Sequence, residues 1–214
     1  MIRQEKLREL DSYIRELKTI KMSEGKQIDR GFLHLEQYTC SLNNGKTITR
    51  EKILKNGKDG SASTILPITN EGNVILVVQP RVFTSSTVGV ELPAGYIEET
   101  EQPSYSAARE LEEETGYEAG EMITLAKYYQ DQGCSAALNY SFLALGCKKN
   151  KEQNLDKDEY IRYFECTFEE MLELLDIGYI RDANSIIAIE RARNYIREYG
   201  IEINRSENHN EKNR

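Results

Sequence analysis

Tryptophan is absent from the 214 residues, and histidine is represented only by His34 and His209. With so little imidazole, histidine-ligated metal centres and Ser-His-Asp catalysis have almost nothing to be built from. Four cysteines, Cys40, Cys134, Cys147 and Cys166, are widely spaced and form no CxxC pair. They are therefore expected to be reduced, small core residues rather than a disulfide frame or zinc site. Long hydrophobic runs are missing too. The longest, Val74 to Val78, falls far short of the roughly 20 residues of a spanning helix, and the N-terminus is charged rather than signal-like. The expectation is a soluble, cytoplasmic protein without membrane association. Basic residues are in deficit, 28 against 36 acidic, for a formal charge of -8 and a pI near 5.1. That is the wrong sign for counterion-driven binding of polymeric nucleic acid, so an anionic ligand needs local help.

What the sequence does contain is enough apolar material for a core, with Leu, Ile, Val and Phe at 50 of 214 positions. Leu7, Leu10, Tyr13, Ile14, Leu17 and Ile20 recur at steps of three and four, which predicts an amphipathic helix over about 2–22. Such a helix caps the protein's own sheet or a dimer interface, or docks a partner. Strands are expected at 32–41 and 47–54, a hairpin about Asn43-Asn44-Gly45, and at 63–69 and 74–78 about Asn70-Glu71-Gly72. The unbroken VILVV run predicts burial on both faces. A short strand at 88–92 is followed by a break at Pro93-Ala94-Gly95 and a helix over 103–115, with Pro103 in its first turn and Gly116 as its cap. Strands follow at 140–147 and 160–166. Thr167 and Glu170 have capping-box spacing for a helix through Leu175, and a last helix over 183–199 stops at Gly200. The pattern divides into a helix-and-strand extension over 1–57, a main α/β domain over 58–203, and a polar, disordered tail over 204–214.

The chemistry concentrates in GYIEETEQPSYSAARELEEETGY, residues 95–117. At about 100° per residue, Glu113 falls near -60° and Glu114 near +40° from Glu110, so three carboxylates share one helix face. Ala107, Ala108 and Leu111 supply the packing side. The like charges repel one another at a helix C-terminal end, where negative charge is unfavourable. A hard divalent cation would compensate them, since Mg²⁺ takes oxygen ligands and keeps waters for a phosphate or nucleophile. Arg109, on the flank, is placed to pair with Glu101. The competing reading is a Glu-rich helix that is merely a solvated surface.

These residues match the pattern G-x5-E-x7-R-E-U-x-E-E-x-G-U through Gly95, Glu101, Arg109, Glu110, Leu111, Glu113, Glu114 and Gly116. The chain thereby resembles the Nudix hydrolases. Arg30 to Phe32, the VVQPR segment ending at Arg81, ELPAG before the motif and YIRDANSIIAI near the end resemble the ADP-ribose and nucleotide-sugar pyrophosphatase branch. The resemblance implies an α/β/α sandwich with a mixed sheet and a homodimer sharing N-terminal strands. It implies Glu110, Glu113, Glu114 and the carbonyl of Ala94 as ligands of Mg²⁺, with Mn²⁺ as the alternative. It implies Arg81 as the cation for a phosphate, and Phe32 either stacks on a nucleobase or packs in the core. The implied reaction is attack of water on a diphosphate, ADP-ribose giving AMP and ribose 5-phosphate.

The chain departs from the family motif at Tyr117, where an aliphatic residue is usual, and from the branch at two places: Gln132 replaces a proline, and Ser135, Ala136 and Ala137 occupy the loop where a glutamate base is expected. The work of the base then passes to a box glutamate, ranked first, or to Glu159, with Asp131 behind both. Two other functions compete: hydrolysis of a nucleoside triphosphate or dinucleoside polyphosphate, and a non-catalytic nucleotide sensor that retains the fold.

Overall fold

A computed structural model describes residues 2–18 and 31–203. In chain order the elements are α1 (Gln4–Leu17), β1 (Leu33–Ser41), β2 (Thr47–Lys55), β3 (Ala62–Thr69), β4 (Asn73–Pro80), β5 (Val88–Glu91), β6 (Ala94–Tyr96) and α2 (Pro103–Thr115). They continue as β7 (Tyr117–Glu118), β8 (Glu121–Tyr129), β9 (Leu138–Lys149), β10 (Arg162–Thr167), α3 (Phe168–Asp176) and α4 (Ala183–Tyr199). The β1–β2 hairpin forms its own two-stranded sheet. The other eight strands form one sheet with the path β10-β4-β3-β9-β7, to which β5, β6 and β8 add beside β4, β3 and β9. Only the β3–β9 pair among the assigned ladders is parallel, so the sheet is mixed.

Period-two alternation sends the two faces of this sheet into two cores. Ile65, Ile75, Phe142 and Ala144 point toward Ala107 and Leu111 of α2. Their chain neighbours Leu66, Val74, Leu76, Val78 and Leu143 point the other way, toward α1, α3 and α4 through Leu10, Met171, Leu174, Ala188 and Ile189. Every residue of the VILVV run has no exposed surface, as covered faces require. The expected α/β/α sandwich is therefore the observed one.

Local stop and start signals act as expected. Gly116 takes φ 75° and donates its N–H to Glu112 at the end of α2. Thr167 and Glu170 form a complete capping box at α3, and Asp182 caps α4, which ends at Gly200.

Several local expectations need correction. The first helix ends at Leu17, because Lys18 is extended with ψ 128°; the continuation expected to residue 22 lies largely outside the described residues. Ala94-Gly95 is not a break but part of β6, which pairs with β3. Strand β8 is an addition to the expected elements, its alternation interrupted by a register shift between Thr124 and Ala126. Of the cysteines, Cys147 and Cys166 are core residues, whereas Cys134 is exposed and Cys40 half-buried; none is in a disulfide. Arg30 and the polar tail at 204–214 lie outside the described residues. No described helix is long and apolar enough to cross a membrane.

Candidate functional site

Helix α2 is held at its start by Ser63, whose hydroxyl donates to the Pro103 carbonyl at 2.9 Å, and along its inner face by Ala107 and Leu111. This leaves the opposite edge facing the β5–β6 turn. There the backbone approaches the carboxylates closely, because position 95 lacks a Cβ. Any Cβ on Gly95 would stand within 3.0 Å of the Glu110 carboxylate carbon and both its oxygens. The Ala94 N–H donates to Glu114 Oε2 at 3.0 Å. Glu114 is only 2% exposed and Glu110 8%, while Glu113 is half-buried.

Arg109 organises this face. Its Nε and Nη2 donate to the two oxygens of Glu101 at 3.0 and 3.2 Å. Its Nη1 reaches Glu110 at 2.8 Å and Glu113 at 2.9 Å, and its Nη2 also reaches the Tyr96 carbonyl. Hydrogen bonding from Arg109 holds the Glu101 carboxyl below the usual range. Burial pushes Glu110 up to about 7 in spite of Arg109. Burial pushes Glu114 well above its ordinary value, the Glu110 charge adds to the shift, and Glu159 and Glu91 contribute further. One guanidinium thus under-compensates the acidic face. Among the described residues, no group of three His, Cys, Asp or Glu side chains is arranged as a finished metal cage. The donor set nonetheless suits a hard cation: three carboxylates, oxygen only, against a backbone kept near by a glycine.

Arg81 lies at the end of β4 and is gripped by Glu91 of β5 through two bonds, Nε to Oε1 at 2.7 Å and Nη2 to Oε2 at 2.6 Å. This bidentate fork raises the pKa of Arg81 and fixes the plane of its guanidinium. Gly89 makes room for it, since a Cβ there would collide with the Glu91 carboxylate and the Arg81 side chain. Glu91 is buried, whereas the Arg81 side chain keeps 46% of its surface exposed. Both line a cavity of about 430 Å³ together with Ile14, Ser86, Tyr179 and Asp182. The box glutamates do not line it. Cavity and acidic face are neighbours, linked by the charges of Glu91 and Arg81, both within electrostatic reach of Glu114.

The structure thus brings together Ala94, Arg109, Glu110, Glu113 and Glu114, sets Arg81 alongside, and holds the charge of exposed Glu159 near Glu110 and Glu114. Phe32 is 52% exposed, with its ring 6.0 Å from that of Tyr96, so it is not a core residue. Asp131 lies in the exposed turn after β8, accepting from Cys134. Sequence reasoning assigned no role to Glu91 or Gly89. The ELPAG stretch begins with Glu91, but its pairing with Arg81 depends on β4 and β5 lying side by side.

Residues 59–187 match the family model of the NUDIX domain. The chain is 38% identical over 168 residues to an ADP-ribose pyrophosphatase of Bacillus subtilis (strain 168), covering 78% of this chain and 85% of that protein. It is 35% identical over 177 residues to a methanol dehydrogenase activator of Bacillus methanolicus, covering 82% and 91%. A GDP-mannose pyrophosphatase of Escherichia coli (strain K12) is 30% identical over 165 residues, covering 73% of this chain and 85% of that one. Among solved structures, an ADP compounds hydrolase superposes with a TM-score of 0.69 at 20% identity, over 82% of this chain and 92% of that chain. With its carboxylate helix, mixed-sheet sandwich and matched domain in agreement, the chain belongs to the Nudix family.

Proposed function

We propose that this protein is a Nudix pyrophosphohydrolase that splits the diphosphate of a nucleoside diphosphate linked to a sugar, with ADP-ribose or an ADP-sugar preferred, and that it uses Mg²⁺. The observation that carries this reading is the acidic face of α2, with Glu110, Glu113 and Glu114 crowded against Gly95 and under-compensated by Arg109. The relatives named for ADP-ribose and GDP-mannose pyrophosphatase activity support the substrate class.

Glu110, Glu113, Glu114 and the Ala94 carbonyl would hold the cation, which supplies charge neutralisation to the diphosphate oxygens. Arg109 keeps the carboxylates in register by bridging Glu101 to Glu110 and Glu113. Arg81, its plane set by Glu91, presents its remaining N–H groups to a phosphate, and the adjoining cavity receives the group attached there. A carboxylate must take the proton of the attacking water. Glu159 supports that role from outside the helix: it is exposed and its carboxylate accepts a neutral backbone N–H, from Asp156, whereas Glu110 and Glu113 are paired with the Arg109 cation and Glu114 is buried; a box glutamate is the alternative.

The same reading makes residues 1–57 a dimer-forming extension of the 58–203 domain. The β1–β2 hairpin stands apart from the main sheet and exposes Leu33, Leu35 and Tyr38 beside Phe32, a surface suited to a second copy. Four cysteines outside disulfides fit a reducing cytoplasm. The direct test is product analysis with MgCl₂ and a panel of ADP-ribose, GDP-mannose and ATP. AMP and ribose 5-phosphate are expected from ADP-ribose. Binding without turnover of any of the three would replace the enzyme by a sensor, and cleavage of ATP alone would replace the substrate class.

A further inference from the structure

An α-helix leaves its last carbonyls without partners of its own, and where they are exposed they normally turn to water. At the end of α2 one segment takes all of them. The Asn154 N–H donates to the Glu113 carbonyl at 2.9 Å, and Gln153 Nε2 to the Glu114 carbonyl at 2.6 Å. Lys149 Nζ donates to the Thr115 carbonyl at 2.8 Å, and the N–H groups of Asn150 and Lys151 to Gly116 at 2.9 and 3.1 Å. Lys151 also pairs with Glu112. The last residue of β9, Lys149, and the loop that follows it are therefore a harness on the helix end that carries Glu113 and Glu114.

Gln153 does more than cap. Its Nε2 donates a second time, to the Ile161 carbonyl at 3.3 Å, so one amide ties the residue bearing the most buried box carboxylate to the far end of the loop. Between Asn154 and Ile161 the chain closes on itself. The Glu159 N–H donates to the Asp156 carbonyl at 2.9 Å, and the Glu159 carboxylate accepts from the Asp156 N–H at 3.0 Å. Beyond it, Tyr160 and Arg162 both donate to Glu16 of α1, at 2.6 and 2.8 Å, which braces the outer side.

We propose that Gln153 is a positioning residue for hydrolysis: its paired donation to the Glu114 and Ile161 carbonyls sets the separation between the carboxylate face of α2 and Glu159, with Glu16 of α1 bracing the loop from behind. The inference rests on the function above, with Glu159 as the proton acceptor. Both N–H bonds of a single planar amide are used, so neither end of the loop can drift without breaking one. Geometry at this scale governs rate, because a general base must lie within hydrogen-bond reach of its water.

The test is a double-mutant cycle with Gln153→Met, which keeps the bulk and removes the donors, and Glu159→Gln, assayed with ADP-ribose and MgCl₂. Gln153→Met is expected to lower kcat about tenfold with KM within about twofold. In the Glu159→Gln background the same change is expected to cost less than about twofold, since no base remains to be placed. Equal losses in both backgrounds, or an unaltered kcat in Gln153→Met, overturn the proposal by reducing the amide to a structural tie. Wild-type turnover in Glu159→Gln alone overturns it as well, leaving the hydrolase reading intact. Hydrogen exchange gives a readout independent of turnover: amides of 154–160 should exchange about tenfold faster in Gln153→Met while β3 and β4 stay protected. Unchanged protection there overturns the proposal even in a preparation that cleaves none of the panel, an outcome that by itself sinks the hydrolase reading instead.

Discussion

Replacing Gly95 by alanine tests the site at its tightest point. Gly95 does not adopt positive φ, so the substitution carries no backbone penalty and acts only through the methyl group. That methyl would stand inside 3.0 Å of the Glu110 carboxylate, where ordinary contact begins at 3.4 Å. The carboxylate must withdraw by about 1.5 Å, and displacement of a reacting-centre group by about 1 Å or more costs at least about 100-fold in rate, or about 2.7 kcal/mol of barrier. Stability should fall by about 1–3 kcal/mol for the overpacking, with the lower end expected because a side-chain terminus can yield. The control is Gly200→Ala at the end of α4, where φ is 63° and no atom lies within 4 Å. That variant should lose about 1 kcal/mol of stability and none of its turnover. Steady-state kcat with ADP-ribose at saturating MgCl₂, alongside thermal unfolding, separates the two. A Gly95→Ala protein with kcat within threefold of wild type would refute the claim that Glu110 works pressed against the β6 backbone.

Three further outcomes follow from the same geometry. Glu91→Gln removes the charge that grips Arg81, so KM for ADP-ribose should rise about tenfold with a smaller change in kcat; an unchanged KM would detach Arg81 from substrate binding. Burial alone would raise the pKa of Glu170, but bonds from Arg3 and the capping box hold it below its ordinary 4.5. The folded-state value being the lower one, Glu170 stabilises the fold above the unfolded pKa and loses that contribution as pH falls through the folded value. Calorimetry should show wild type losing more Tm than Glu170→Gln between about pH 5 and about pH 3, and parallel losses would contradict the sign. Leu35, 71% exposed on the hairpin, should tolerate Glu in a monomer but not at an interface between copies. Scattering mass for Leu35→Glu is expected at 24.6 kDa against twice that for wild type, and a wild-type monomer would remove the dimer.

Where the chain's own signals are local, they were readable in advance. Helix α2 begins at Pro103 and ends before Gly116 because a proline suits a first turn and a glycine suits a left-handed cap, and neither depends on what lies across the fold. The spacing of Glu110, Glu113 and Glu114 places them on one face by helical geometry alone, and Arg109 finds Glu101 within the same loop and helix. Strand β8 escaped because its pattern is broken by a bulge against β9, and β6 because a glycine near a proline reads as a turn until β3 is there to pair with it.

What sequence by itself determined, then, was the identity of the acidic helix and the alternation that buries both faces of β3 and β4, since both arise from the fixed repeat of helix and strand. Tertiary structure alone decided which carboxylates are desolvated, that Gly95 presses β6 against Glu110, and that Glu91 grips Arg81 across two strands. It also decided that Gln153, some forty residues along the chain from Glu114, closes on that residue's carbonyl. Burial and long-range hydrogen bonds belong to pairs of segments, and no residue carries the name of its partner until the sheet has brought the two together.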